Sequence, residues 1–378
     1  MKRIAPWIMA IGVFLLPQSA RADWTTAKRL TWNDGVSYSP EIALDSSSHL
    51  HVVWYDDTPG HYEIYYKKST DGGTTWTAAK RITWSSGDSK YPAMAIDLSD
   101  RLHVVWTEDT IGGSEIYNKR SSDGGATWTA KQRLTWAGIT SEWPDIAVDP
   151  SGLIHLVWQD STGEIYYSKS PDGTNWMLAK RITWTPGSSH YPDLAIDSSG
   201  QLHVVWEDNT PGEYNYEVYY RKSTNSGTTW SKARRLSWME NGSHSPDIAV
   251  DPSGNLHLAW YDENPALYDI YYKKSTDSGA SWTAAKRLTS DLGWSAYPCL
   301  AGDVSGQLHL VWEDSEGDLS YRKSTNSGTS WSTIQRLTWT SGSSWDPIMI
   351  ADSSGNLHLV WSDNTPLNRE IYYKKFVN

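Results

Sequence analysis

The sequence predicts an all-β protein, a seven-bladed propeller of four-stranded antiparallel blades, on three observations. The pentapeptide Leu50–Trp54 returns as Leu102–Trp106, Ile154–Trp158, Leu202–Trp206, Leu256–Trp260, Leu308–Trp312 and Leu357–Trp361, at steps of 48 to 54 residues. Each repeat carries four short segments rich in β-branched and aromatic residues, bounded by Gly, Pro, Asp and Ser. The two ends of the chain hold complementary fragments of one further unit. Period and strand count together mark radial repetition rather than a core built around one unique centre.

Taken in order, residues 1–22 read as a secretory signal, with Lys2 and Arg3 in front, an apolar run from Trp7 to Pro17, and Ala20-Arg21-Ala22 as a small-x-small cleavage site. The run is too short to span a bilayer, so no membrane insertion is expected. The expected product, residues 23–378, is one propeller exported to the periplasm or the outside. Its repeats start near 40, 92, 144, 192, 246, 298 and 347, each at a proline. In the first unit the strands are Pro40–Asp45, Leu50–Asp56, Glu63–Lys68 and Ala79–Trp84. A Ser-rich turn joins the first pair, a loop with Pro59 and Gly60 the second, and Ser69–Trp76 the third. No segment of residues 23–378 has the period of a long amphipathic helix.

The last unit, Asp346 to Lys375, supplies three strands and then ends at Asn378. Its missing fourth strand is matched at the other end by Ala27–Trp32. Pairing the two closes the ring and removes a free sheet edge. A ring closed by its own termini needs no partner to fold, so a monomer is expected.

Charge limits the partners. The chain carries a net charge of −11, which becomes −14 once Lys2, Arg3 and Arg21 leave with the signal. Such a field repels nucleic acid and anionic lipid. Cys299 is the one cysteine, so no intrachain disulfide forms.

The turns between strands three and four are Ser69–Trp76, Ser121–Trp128, Ser170–Trp176, Ser223–Trp230, Ser275–Trp282 and Ser324–Trp331. In them Ser, Asp or Asn, Gly and Trp recur at fixed spacing, a pattern that resembles the Asp boxes of BNR repeats in sialidases and related propellers. The resemblance runs over essentially all of residues 23–378 and implies the sialidase-like superfold. In that family three arginines at the axial end clamp a substrate carboxylate, a Tyr backed by a Glu is the nucleophile, and an Asp is the acid/base. Here Arg29, Arg81, Arg133, Arg181, Arg235, Arg287 and Arg336 all stand on fourth strands, at the rim. Arg120, Arg221 and Arg322 end third strands beside the boxes, and Arg101, Arg234 and Arg369 are scattered over turn, rim and loop. The arginine triad is therefore not expected, and the fold likeness alone does not carry the activity over. Asn225 and Asn326 replace the acid of the box, which suits a hydrogen-bonding turn better than a catalyst.

Candidate binding residues gather at the opposite end of the blades. Each second strand ends in a Trp, among them Trp54 and Trp106, followed two residues on by an acid: Asp56, Glu108, Asp160, Asp208, Asp262, Asp314 or Asp363. A second acid such as Glu63 opens each third strand, a Trp closes most fourth strands, and Tyr91, Trp143, Tyr191, Tyr297 and Trp345 stand at or near the prolines. Aromatic faces beside carboxylates suit a neutral sugar ring, whose C–H face stacks while its hydroxyls donate. The repeated Trp residues have a second reading as packing between blades, with Trp143, Trp294 and Trp345 as the exposed ones. The histidine of each second strand reads as a packed residue.

The residue after each proline should face the channel and reads Glu41, Ala93, Asp145, Asp193, Asp247, Cys299 and Ile348. Glu41, Asp145, Asp193 and Asp247 could hold Ca²⁺, supply the acid/base pair of a glycosidase, or be hydrated channel residues. Near-identical repeats favour a secreted, multivalent, lectin-like protein that binds a glycan or glycoconjugate at repeated aromatic and acidic inter-blade sites without catalysis. The alternatives are a sialidase-like exo-glycoside hydrolase using the channel carboxylates, or an exported protein-binding scaffold.

Overall fold

Alternation along Leu50-His51-Val52-Val53-Trp54 sends successive side chains to opposite faces of a sheet. Both faces are covered, because every second strand lies between two others of its blade and each blade is sandwiched between two blades. The residues of Leu50–Asp56 are accordingly all buried. A computed structural model describes residues 23–136, 138–212, 215–263, 267–290, 293–365 and 368–378. Residues 1–22, assigned above to a signal, lie outside the described residues.

Seven antiparallel sheets surround an axis: six of four strands in sequence order, and one that mixes the two ends of the chain. The first blade consists of Ser37–Leu44, Leu50–Asp56, Glu63–Ser69 and Lys80–Arg81, from the axis outward. In the last blade Ser344–Ala351, Leu357–Asp363 and Glu370–Val377 are completed by Asp23–Trp24 and Lys28–Arg29. Trp24 pairs with Phe376 and Arg29 with Tyr372, so the ring closes as expected. The core is divided into clusters that each span two adjacent blades, including one that joins Leu30 and Tyr373 to Ile42 and Trp54.

The fourth strands are shorter than expected, two residues each, and the cause repeats around the ring. Ile82 N–H bonds to the Ile64 carbonyl, but the Ile64 N–H is taken by the Thr83 hydroxyl rather than by a backbone oxygen. Thr31, Thr135, Thr183, Ser237, Thr289 and Thr338 do the same in the other blades. The side chain ends the ladder and the backbone peels away, which blunts an edge strand.

The turns between strands three and four are built as their residue types require. In the first, Asp71 accepts from the Thr75 N–H and hydroxyl, and Ser69 accepts from the Gly73 N–H. Asn225 Oδ1 accepts the Thr229 N–H in the same way, so the turn does not need the charge. Gly73 adopts a φ of +88°, and a Cβ there would meet the Tyr373 hydroxyl of the neighbouring blade at 2.1 Å.

Candidate functional site

Each innermost strand is bulged beside its proline, where the register shifts, as between Tyr38 and Glu41 or Glu142 and Asp145. A bulge re-aims side chains. The residue before the proline takes a positive φ of 41° to 54° in all seven blades: Ser39, Tyr91, Trp143, Tyr191, Ser245, Tyr297 and Asp346. Such a backbone costs a non-glycine residue about 1 kcal/mol or more, and the following proline disfavours it further. Inter-blade acceptors hold it: Gln159 accepts the Tyr191 N–H, Glu207 the Ser245 N–H and Glu313 the Asp346 N–H.

These strained residues ring a funnel of about 870 Å³ at one mouth of the axis. Tyr91 and Trp143 stack with ring centroids 3.8 Å apart, and Tyr191 meets Trp143 edge-on at 4.9 Å. Tyr297 and Tyr191 are about half exposed. Trp294 and Trp345 also line the funnel, and they and Trp143 are half-buried rather than exposed as expected. Among the described residues lining it there is no Lys or Arg. Arg369 stands behind the wall, sandwiched between Tyr38 and Trp345 with its guanidinium 4.4 and 3.7 Å from their ring centres.

The floor holds the residues that follow the prolines. Asp145 accepts the Leu194 N–H, Asp193 the Ile248 N–H and Asp247 the Leu300 N–H, each across to the next blade. The Cys299 sulfur faces the Met349 N–H in the same relation. Burial raises the Asp145 carboxyl and pushes Asp247 up to about 7, helped there by the charge of Asp145. Burial followed by neighbouring carboxylates raises Glu41 and Asp193 well above the usual range. Asp145, Asp193 and Asp247 are thus inter-blade clamps, and burial raises all four carboxyls. Among the described residues no group of three or more His, Cys, Asp or Glu is placed to hold a metal ion.

The repeated Trp and acid pairs do not form open sites. Trp54, Trp106 and the other Trp residues ending second strands are buried, and six of the seven stack on a third-strand Tyr, as Trp54 does on Tyr65. Asp56, Glu108, Asp160, Asp208, Asp262 and Asp363 are buried, and Asp314, nearly so, holds the Ser320 hydroxyl. Asp56, Asp208, Asp262 and Asp363 accept from Ser37, Ser189, Ser243 and Ser344. The acids opening third strands pair with the fourth-strand arginines, Glu63 with Arg81 and Glu370 with Arg29. The packing that builds the blades therefore buries these pairs, and they do not make seven equal open pockets. The second-strand histidines are packed as expected: His51 bonds Tyr66 and Asp45.

The exposed tryptophans are those that close fourth strands. Trp32, Trp84, Trp136, Trp184, Trp238 and Trp339 are 63% to 68% exposed. They sit where the backbone has left the sheet, and five of them carry a Lys or Arg of the next blade over the ring. Sequence reasoning missed this because it extended the fourth strand through the Trp.

No family model matches the chain, and no curated protein matches it. Solved structures share its fold. An ulvan lyase of polysaccharide lyase family PL25, bound to -[GlcA(1-4)Rha3S]-, superposes with a TM-score of 0.64 at 10% identity over 92% of this chain and 95% of that one. The GH93 α-L-arabinofuranosidase of Fusarium graminearum with arabinobiose gives 0.56 at 12% identity over 90% and 92%. The intramolecular trans-sialidase of Ruminococcus gnavus with oseltamivir carboxylate gives 0.51 at 13% over 90% and 94%. At these identities the likeness is one of fold, a β-propeller shared with sialidase-like and GH93 proteins.

Proposed function

We propose that this is an exported carbohydrate-binding propeller that holds a neutral oligosaccharide in the axial funnel and does not cleave it. The observation that carries the reading is the continuous aromatic wall of Tyr91, Trp143 and Tyr191, presented on strained backbone at the mouth of one large cavity. Strain of this kind concentrates where a ligand is held. Aromatic faces stack on sugar C–H groups, and the carboxyl oxygens below accept from hydroxyls. A lining without Lys or Arg, on a chain of net charge −11, disfavours uronic and sialic acids. That three propellers of similar fold carry carbohydrate-active names supports the ligand class.

Binding is preferred to hydrolysis because Asp145, Asp193 and Asp247 are each committed to a backbone N–H of the next blade. One observation favours the second reading, a glycoside hydrolase: burial pushes Asp247 to about 7 and Glu313 to about 8, a range that suits a general acid. A glycan array run beside a fluorogenic glycoside panel separates the two. Array binding without turnover supports the proposal; turnover lost in Asp193→Asn overturns it.

A further inference from the structure

At six of the seven blade junctions the third strand sends a cation under the rim of the preceding blade. Lys273 and Lys374 donate to the Leu236 and Leu337 carbonyls at 2.5 and 2.6 Å, and Lys67, Arg221 and Arg322 do likewise to Leu30, Ile182 and Leu288. Lys119 completes the set, 5.4 Å over Trp84. Strand register places Ser168 at this position in the third blade, opposite Leu156 as Lys67 is opposite Val52. Its hydroxyl turns back onto the Met177 carbonyl.

At this junction lies a cleft of about 590 Å³ between the second and third blades, lined by Trp136, Trp158, Tyr166, Met177 and Leu178 among others. Among the described residues none places a cation over Trp136 as over Trp32, Trp84, Trp184, Trp238 and Trp339, and no side chain donates to the Leu134 carbonyl. Asp160 also lines the cleft and is 3% exposed. Its Oδ1 holds Thr162, while Oδ2 accepts no well-formed hydrogen bond and the Tyr166 hydroxyl is the side-chain donor that approaches the carboxyl. Ser141 pairs with Asp160 in register but does not donate to it, unlike the equivalent serines in four other blades. A buried carboxylate oxygen without a donor costs free energy until one arrives.

We propose that this cleft binds a primary ammonium on an aliphatic arm, either a free alkylamine or the lysine side chain of a peptide. Four sibling junctions supply the template: the arm runs along the rim Trp and the cation meets the fourth-strand carbonyl, and at the third blade Asp160 lines the same cleft. A cation over Trp136 gains from the ring quadrupole, and Asp160 Oδ2 provides the counter-charge. The cleft is several times larger than one butyl arm, so Met177 and Leu178, which stand where the first, second and fifth blades have Thr-Ala, offer an apolar floor to the rest of the ligand.

The site is independent of the funnel and is tested by calorimetric titration of residues 23–378 with n-butylamine, Nα-acetyl-lysine N-methylamide and n-butanol. The amines should bind about tenfold or more tighter than the alcohol, the difference made by one desolvated cation contact. Tighter binding of the lysine derivative than of butylamine identifies a peptide as the source, and equal binding a free amine. Ser168→Lys, which restores the residue type of the other junctions, should fold, fill the cleft and abolish amine binding. Asp160→Asn should weaken it about tenfold. Amine binding unchanged in Ser168→Lys, equal binding of n-butanol, or no binding of either amine overturns the proposal.

Discussion

Arg29, near the start of the described chain, donates to Glu370 on its last strand, joining residues 341 positions apart in one ion pair. The same pair closes every other blade between neighbours in sequence, as Arg81 with Glu63 and Arg235 with Glu217. Glu370 is fully buried, so the pair is where the ring is locked.

Arg29→Ala should therefore destabilise the protein by about 3 kcal/mol, because it leaves a buried carboxylate without its partner. The double variant Arg29→Met/Glu370→Leu should recover most of that loss. Urea unfolding of the three proteins checks both statements. Deletion of residues 23–32 should abolish the cooperative transition, and an unchanged melt would contradict closure by the N-terminal strands.

Gly73→Ala should cost about 2 kcal/mol, combining a positive φ with a Cβ driven into Tyr373. Gly60 has a φ of +98° but open space around it, so Gly60→Ala should cost only the backbone part, about 1 kcal/mol. Thermal melts of the pair separate conformation from contact between blades.

Asp71→Asn should leave the melting temperature nearly unchanged, while Asp71→Ala should lower it. The turn uses the side chain as an acceptor for Thr75, and Asn225 and Asn326 already fill the same role at other blades. A large loss in the Asn variant would give the charge a role that the hydrogen bonds do not.

The pH dependence of Asp247→Asn follows from its environment. The folded carboxyl titrates near 7 against an ordinary 3.8, so the folded chain holds the proton more tightly than the unfolded one. The acid's contribution to stability is complete below about pH 4 and is lost as pH rises through 7. Asn keeps an acceptor for the Leu300 N–H without ionising. The stability of the variant relative to the parent should rise between pH 4 and 7 and level off above, as read by urea unfolding at each pH.

The ring was legible because its cause is local: a pentapeptide that alternates, a proline that starts each inner strand, and a stray Ala27–Trp32 that fits only one gap. The floor of the funnel was legible too, since the position after each proline points to the axis. The aromatic residues of its wall were named, but not their backbone, because a residue before proline is ordinarily extended, and nothing in Tyr191-Pro192 announces a left-handed backbone held by Gln159 of the preceding blade. The buried Trp54 and the exposed Trp84 were not told apart, for a related reason. Whether a repeated Trp faces solvent depends on the Thr83 hydroxyl ending a strand one residue earlier.

The account places ligand at one axial funnel rather than at seven equivalent blade sites, and the stoichiometry of neutral oligosaccharide binding tests that most directly. Calorimetry should give one site per chain, lost in Trp143→Ala while the thermal melt is preserved. Several sites per chain, or a single site indifferent to Trp143, would contradict it.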